Sequence, residues 1–96
     1  MKKFMLLYVG MYEQKSDVMD GWKKWFEVLG NRVVDSGNPF GPGKEVTKTG
    51  VKDLPQNMDA TVGYTIINAE NINEVEKLLK QCPMINCVRV YETMPM

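Results

Sequence analysis

KFMLLYV, residues 3–9, is the stretch of sequence that decides the fold. It is rich in β-forming residues and ends at Gly10, which is typical of a strand. Apolar side chains fill both sets of alternating positions: Phe4, Leu6 and Tyr8 on one face, and Met5, Leu7 and Val9 on the other. A strand with one face in water would carry polar residues on that face. We therefore predict that this strand is covered on both faces.

Three further strands and two helices follow in the sequence. Residues 61–68, TVGYTIIN, repeat the two-faced pattern, residues 33–36 form a short strand, and residues 88–93 form the last one. The spacing of apolar residues predicts helices over residues 18–29 and 72–81. Each helix has an apolar stripe at i, i+3, i+4 and i+7: Trp22, Trp25, Phe26 and Leu29 in the first, and Val75, Leu78, Leu79 and Cys82 in the second.

The helix ends carry recognisable signals. Ser16 or Asp17 is expected to cap the first helix, because both side chains can accept hydrogen bonds from its first backbone amides. Asn71 and Glu74 have the spacing of a capping box at the start of the second helix. Pro83 is expected to end that helix, since it lacks a backbone donor.

The order β-α-β-β-α-β predicts a ferredoxin-like α+β fold: an antiparallel sheet with the first and third strands at its centre and both helices on one face. A chain of 96 residues has room for one such domain, residues 1–96. Residues 36–60 are predicted to be a long loop or hairpin insertion, in which residues 44–49 pair back on residues 33–36 and residues 49–60 form a polar connector. Because the helices cover only one face, we expect a second copy of the chain to cover the other and form a homodimer.

The composition excludes several classes of function. Lys and Arg total 12, as do Asp and Glu, so the zero net charge argues against binding to nucleic acid or to an anionic membrane. Histidine is absent, and the two cysteines, Cys82 and Cys87, lack the spacing of a metal site. We therefore expect neither a metal nor a cofactor. The longest apolar run is far shorter than the roughly 20 residues of a membrane-spanning helix, and we expect a cytoplasmic protein.

Several short motifs together resemble the YCII-related family, also called DGPF-domain proteins. They are KFMLLY (3–8), Trp22 and Trp25 with Phe26 and Leu29, VDSGNPF (34–40), GYTI (63–66), AEN (69–71) and CP (82–83). The resemblance implies a dimeric α+β barrel, in which two sheets pack face to face. Some members of the family pair a His on the first helix with an Asp near the second strand as a proposed acid and base. Asp35 matches the acidic member, but Trp22 and Trp25 stand where the His would be sought, so the pair is incomplete.

The candidate ligand-binding residues are Trp22, Trp25, Asp35, Asn38 and Tyr64. Asp35 is also the candidate catalytic residue, because a carboxylate at the start of a Gly- and Pro-rich loop can act as a base at the mouth of a pocket. It can equally be a turn residue that accepts hydrogen bonds from the loop backbone. The two Trp side chains can equally be core residues, and the Tyr64 ring can be core with its hydroxyl at the edge.

Three functions are compatible with these residues. The first is a homodimer that binds a small, mostly apolar organic molecule in a pocket near the sheet. The second is a dimeric structural or interaction module without chemistry. The third is a cofactor-free oxygenase or isomerase, which rests only on the resemblance of the barrel assembly to such enzymes. A pocket of roughly 300 Å³ or more beside Asp35 would favour the first or the third, and a filled interior would favour the second.

Overall fold

The computed structural model describes residues 1–11 and 16–95, without the side chains of residues 16 and 17. The elements in chain order are β1 (Lys2–Val9), α1 (Ser16–Leu29), a short 3-10 turn (Gly30–Arg32), β2 (Val33–Asp35), β3 (Lys44–Thr47), β4 (Gly50–Asp53), β5 (Thr61–Ala69), α2 (Ile72–Leu79) and β6 (Cys87–Glu92). The cap predicted at Ser16 or Asp17 falls on side chains outside this description.

Four strands form one antiparallel sheet in the order β2-β5-β1-β6. β1 and β5 are the central strands, and Phe4 lies directly opposite Ile67 across them. This is the strand order predicted for a ferredoxin-like α+β fold, and that prediction is confirmed. The ends of these four strands and of both helices lie within two residues of the predicted ends.

The hydrophobic core lies between the sheet and the two helices. β1 contributes Phe4 and Leu6, α1 contributes Trp25 and Leu29, and α2 contributes Val75. All five side chains are at most 1% exposed. Burying a large apolar side chain to this extent contributes about 2–3 kcal/mol to folding, so this layer is the main source of stability. The apolar stripe predicted for α1 therefore faces the core, as expected.

α2 begins and is anchored through the Asn71-x-x-Glu74 motif. The Asn71 side chain accepts a hydrogen bond of 3.0 Å from the Glu74 backbone amide, which confirms half of the predicted capping box. The Glu74 carboxylate forms an ion pair with Arg32 of the 3-10 turn. The start of α2 is thus linked to the segment that follows α1. In the part of the chain that the structure describes, no helix is both long enough and apolar enough to cross a membrane.

The insertion between β2 and β5 folds differently from the prediction. The expectation that residues 44–49 pair back on residues 33–36 is wrong, because β3 pairs with β4, which lies inside the stretch predicted as a polar connector. Opposed side chains join the two strands: Val46 with Val51, Lys44 with Asp53, and Glu45 with Lys52. A two-residue turn closes this local hairpin at little cost in chain entropy. Every residue of both strands is exposed.

The sheet face opposite the helices carries apolar side chains that are only half-buried. Alternation along the strands places Met5, Leu7 and Ile66 on this face, beside the Tyr91 side chain, which is 60% exposed. This surface is the one that the sequence predicts a second copy of the chain to cover. We refer to it as the open face.

Candidate functional site

A cavity of about 290 Å³ lies between α1, the loop after β2 and strand β5. We refer to it as the α1 cavity. Its lining residues are Tyr8 of β1, Met19, Trp22 and Phe26 of α1, Ser36, Gly37, Asn38 and Pro39 of the loop, and Val62, Gly63, Tyr64 and Thr65 of β5. None of these described lining residues carries a charge at neutral pH. The α1 cavity is therefore an apolar, largely aromatic site.

The aromatic wall of the α1 cavity follows from helical spacing. Trp22 and Phe26 are four residues apart and Met19 precedes Trp22 by three, so all three side chains lie along one side of α1. The Trp22 ring packs edge to face against the Tyr8 ring, with centroids 4.7 Å apart and an angle of 79° between the planes. Such edge-to-face pairs stabilise both rings in one orientation. The wall is thus preformed.

A chain of buried hydrogen bonds crosses the floor of the α1 cavity. Trp25 Nε1 donates to the Tyr8 hydroxyl over 3.0 Å, the Tyr8 hydroxyl donates to Thr65 Oγ1 over 2.8 Å, and Thr65 Oγ1 donates to the Ser36 carbonyl over 3.1 Å. The direction is fixed at both ends, since an indole N–H can only donate and a carbonyl oxygen can only accept. Each hydroxyl therefore gives its single proton to the next group in the chain.

Burial keeps the Tyr8 phenol neutral. Removal from water raises the pKa of Tyr8 above its usual value of 10.0, although the hydrogen bonds at its oxygen act in the opposite direction. Tyr8 is 7% exposed and Thr65 is fully buried. At neutral pH the floor of the α1 cavity is accordingly polar but uncharged.

The loop that closes the α1 cavity is fixed to β5 through Gly37, Pro39 and Phe40. Gly37 has a φ of +79°, and a Cβ there would lie 1.7 Å from the Tyr64 carbonyl oxygen. Pro39 forms an isolated antiparallel bridge with Gly63, and the Phe40 amide donates to the Val62 carbonyl over 2.8 Å. Glycine is required at position 37 because any side chain would collide with the β5 backbone.

Asp35 and Tyr64 meet on the open face. Asp35 lies opposite Ile66, and Tyr64 is two residues before Ile66 on β5, so alternation places their side chains on the same face. The Tyr64 hydroxyl donates to Asp35 Oδ2 over 3.0 Å, and the Gly37 amide donates to Oδ1 over 2.8 Å. The hydrogen bond to Asp35 stabilises the protonated Tyr64 hydroxyl and so raises the pKa of Tyr64. The Phe40 ring stacks on the Tyr64 ring at 5.8 Å.

The structure separates the residues that the sequence groups into one site. Trp22, Asn38 and Tyr64 are among the residues that line the α1 cavity. Trp25 lies behind the cavity, 1% exposed, and reaches it only through its hydrogen bond to Tyr8. Asp35 is not among the lining residues, and its two oxygens hold Gly37 and Tyr64. This geometry is the one that the turn interpretation requires, and a catalytic role for Asp35 stays a prediction.

Sequence reasoning missed the two hydroxyls at the centre of the α1 cavity, those of Tyr8 and Thr65. Neither residue is among the candidate site residues predicted from the sequence. The signal that would have found them is the position of two hydroxyls on apolar strands, on a face that is predicted to be buried. A buried hydroxyl needs a hydrogen-bond partner, and two of them on adjacent central strands can supply one another.

A wider hollow of about 780 Å³ lies on the other side of Pro39. Loop residues line most of it, among them Phe40, Leu54 and Asp59, and it is open to solvent. It lacks the aromatic wall of the α1 cavity. We therefore take the smaller α1 cavity as the candidate site.

Neither cysteine is among the described lining residues of the α1 cavity. Cys82 and Cys87 are both free and half-buried. Burial raises the pKa of the Cys82 thiol to about 12, which makes it a poor nucleophile and a poor metal ligand at neutral pH. Within residues 1–11 and 16–95, no group of three or more His, Cys, Asp or Glu side chains is arranged to hold a metal ion.

Comparison with known proteins relates the fold of this chain to that of an enzyme. No family model matches the sequence, and no curated protein is significantly similar to it. Among solved structures, the chain is similar to the 5-chloro-2-hydroxyhydroquinone dehydrochlorinase TftG of Burkholderia phenoliruptrix AC1100, in complex with 2,5-dihydroxybenzoquinone. The match has a TM-score of 0.56 at 16% sequence identity and covers 96% of this chain and 93% of that one. The two proteins share a fold.

Proposed function

We propose that this protein binds a small, mostly apolar molecule built on a single aromatic ring, and that the α1 cavity is its binding site. The observation that carries the proposal is the cavity itself, in which aromatic side chains of α1 and β1 surround unfilled space. Ligand sites in proteins are commonly concave and apolar, with a few polar groups that orient the ligand. Tyr8 and Asn38 are such groups here.

The size of the α1 cavity is sufficient for a substituted single ring. Its volume of about 290 Å³ is at the lower end of the range for ligand pockets, roughly 300–1,000 Å³. An apolar cavity of about 150 Å³ is known to take up benzene. A benzene ring with a few substituents therefore fits within the α1 cavity.

The solved structure with the same fold supports a ligand of this scale. The dehydrochlorinase is in complex with 2,5-dihydroxybenzoquinone, a single six-membered ring with oxygen substituents. At 16% identity the shared fold carries neither its reaction nor its substrate to this chain. The proposal for this protein therefore rests on its own cavity.

A purely structural module is the less favoured alternative. Such a module requires a filled interior, whereas the space between α1 and β5 is open. A cofactor-free oxygenase or isomerase would need a group that transfers protons at the ligand. Asp35, the candidate for that role, is not among the lining residues of the α1 cavity. Membership of the YCII-related family is likewise a proposal, supported by the motifs and by the fold.

The binding proposal is tested by titrating the protein with toluene and with phenol and following backbone amides by two-dimensional NMR. We expect saturable shifts at residues 36–38 and 62–65, with Kd values in the range of fragments. Trp22→Leu should raise the Kd of both compounds by about tenfold, because it removes much of the aromatic wall. Val28→Ala changes the same helix outside the α1 cavity and serves as the control, with an expected change below about twofold.

Two results would contradict the binding proposal. One is the absence of saturable shifts with either compound while the spectrum shows a folded protein. The other is a set of shifts that maps to the wide hollow around Phe40 and Leu54 rather than to the α1 cavity.

We further propose that the protein is a homodimer that forms through the open face. The support is the half-buried apolar surface of Met5, Leu7 and Ile66 on a chain of zero net charge. A second copy presents the same surface, so a two-fold arrangement can cover both faces at once.

A further inference from the structure

We infer that the α1 cavity selects a neutral ligand that donates a hydrogen bond, and that Tyr8 is the residue that accepts it. This inference rests on the proposed binding function and adds the chemical class of the ligand. It follows from the direction of the hydrogen bonds on the cavity floor.

The Tyr8 proton is already donated within the protein. A tyrosine hydroxyl has one proton, and Tyr8 donates it to Thr65 Oγ1, with the two oxygens 2.8 Å apart. Thr65 cannot return a proton to Tyr8, because its own is held by the Ser36 carbonyl over 3.1 Å. Tyr8 is consequently a donor only to the protein. Trp25 Nε1 already donates to the Tyr8 oxygen over 3.0 Å, so a ligand can interact only with the remaining lone pair.

The hydroxyls of Thr65 and Tyr64 are less available to a ligand than that of Tyr8. Thr65 is fully buried, so Tyr8, at 7% exposed, is the more accessible member of the chain. The Tyr64 hydroxyl lies on the open face, and its proton is held there by Asp35 Oδ2 over 3.0 Å. The Tyr64 hydroxyl, like that of Tyr8, thus gives its proton to the protein.

The α1 cavity offers no charged side chain, among its described lining residues, to an ionic ligand. Among the described residues that line the α1 cavity, none is cationic or anionic. An anionic ligand would lose its hydration on entry and find no cation to replace it, which is costly in an apolar site. A neutral hydroxyl or amine on the ring loses little free energy on leaving water, because the Tyr8 oxygen replaces one of its hydrogen bonds to water. The ligand class is therefore a neutral aromatic alcohol or amine.

The inference is tested with four single-ring compounds at pH 7: phenol, anisole, toluene and benzoate. Phenol is a neutral donor, anisole is an acceptor without a donor, toluene is neither, and benzoate is an anion. We expect phenol to bind about fivefold more tightly than anisole or toluene, which corresponds to one ordinary hydrogen bond. Benzoate should bind most weakly. Kd values are measured from the amide NMR shifts of residues 36–38 and 62–65.

Two variants separate recognition by Tyr8 from a general effect on the fold. Thr65→Val removes the acceptor of the Tyr8 proton, so the Tyr8 hydroxyl can donate to a ligand, and anisole should then bind at least as tightly as phenol. Tyr8→Phe should bring phenol and toluene to within about twofold of each other. Thr61→Val makes the same change as Thr65→Val on the same strand outside the lining of the α1 cavity and should leave the preference for phenol unchanged.

The outcomes distinguish this inference from the binding proposal. If toluene, anisole and phenol bind equally to the unmodified protein, the binding proposal stands and the inference fails. If benzoate binds most tightly, the inference also fails. If none of the four compounds binds, both fail. A loss of affinity for all compounds in Thr65→Val, with the preference for phenol retained, would show a purely structural role for Thr65 and overturn the assignment of Tyr8.

Discussion

The Tyr64 hydroxyl donates a hydrogen bond of 3.0 Å to Asp35 Oδ2, and this contact joins β5 to the end of β2 on the face opposite the α1 cavity. The other Asp35 oxygen accepts the Gly37 amide over 2.8 Å. One carboxylate therefore holds both the strand and the turn from which the cavity loop starts. The loop that lines the α1 cavity is positioned from outside it.

Asp35→Asn tests whether this carboxylate positions the loop or contacts a ligand. If it positions the loop, we expect the melting temperature to fall by about 3 °C, since an exposed hydrogen-bonded turn is worth only a fraction of the stability of a domain of this size. The rise in melting temperature that phenol produces should stay within about twofold of the rise seen for the unmodified protein. Thermal unfolding with and without phenol measures both. The opposite pattern, an unchanged melting temperature with the phenol effect lost, would make Asp35 a ligand-binding residue.

Gly37→Ala should be strongly destabilising. The added Cβ would lie 1.7 Å from the Tyr64 carbonyl oxygen, and the φ of +79° is unfavourable for any residue with a side chain. We expect a loss of at least about 2 kcal/mol in the free energy of unfolding, measured by urea denaturation. Gly41→Ala is the matched control in the same loop, because a Cβ at position 41 would meet no described atom within 4 Å. Equal stabilities of the two variants would contradict the close approach of the loop to β5.

The homodimer proposal predicts a species of twice the 11.0 kDa chain mass in sedimentation velocity at micromolar concentration. Ile66→Lys places a charge on the open face and should shift the protein to monomer while its circular dichroism spectrum keeps the folded form. Val46→Lys introduces the same charge on the hairpin, where Val46 is already 72% exposed, and should leave the mass unchanged. A monomeric unmodified protein would refute the proposal.

The protein should lose stability at alkaline pH partly through Cys82. Burial raises the pKa of its thiol from 9.0 to about 12 in the folded chain. Between these pH values the unfolded chain has lost this proton and the folded chain retains it, so stability falls as pH rises. One such proton contributes a slope of at most about 1.4 kcal/mol per pH unit. Urea unfolding between pH 7 and 10.5 should show a shallower fall for Cys82→Ala than for the unmodified protein, and identical slopes would contradict the burial of this thiol.

The main sheet and the helices could be predicted because each has a strong local pattern. Apolar residues on both faces of residues 3–9 and 61–68 identify the central strands, and the stripe that contains Trp25 and Leu29 identifies the buried side of α1. The hairpin could not be predicted in the same way. β3 and β4 are exposed on both faces, so hydrophobic burial gives no pattern, and their pairing depends on local cross-strand contacts such as Val46 with Val51.

Only part of the candidate site could be predicted, and the reason is geometric. Trp22 is a ligand-binding residue in the prediction, and it lines the α1 cavity. Asp35 is grouped with it in the prediction. In the structure, however, the register between β2 and β5 shifts between Val33 and Asp35, so that Val33 pairs with Ile67 and Asp35 pairs with the adjacent residue, Ile66. Such a shift decides which face of the sheet a side chain occupies, and no residue in the sequence signals it.

The hairpin of β3 and β4 has a consequence for how the molecule opens. Its base is closed by a hydrogen bond of 2.9 Å from the Leu54 amide to the Gly43 carbonyl, and its strands are exposed throughout. A two-stranded ribbon of this kind is only marginally stable by itself. Its amide protons should therefore exchange with solvent deuterium by local opening, far faster than those shared by β1 and β5, which exchange only when the whole domain unfolds. Ten residues of this chain thus behave as a separate cooperative unit, and their sequence can change without cost to the core.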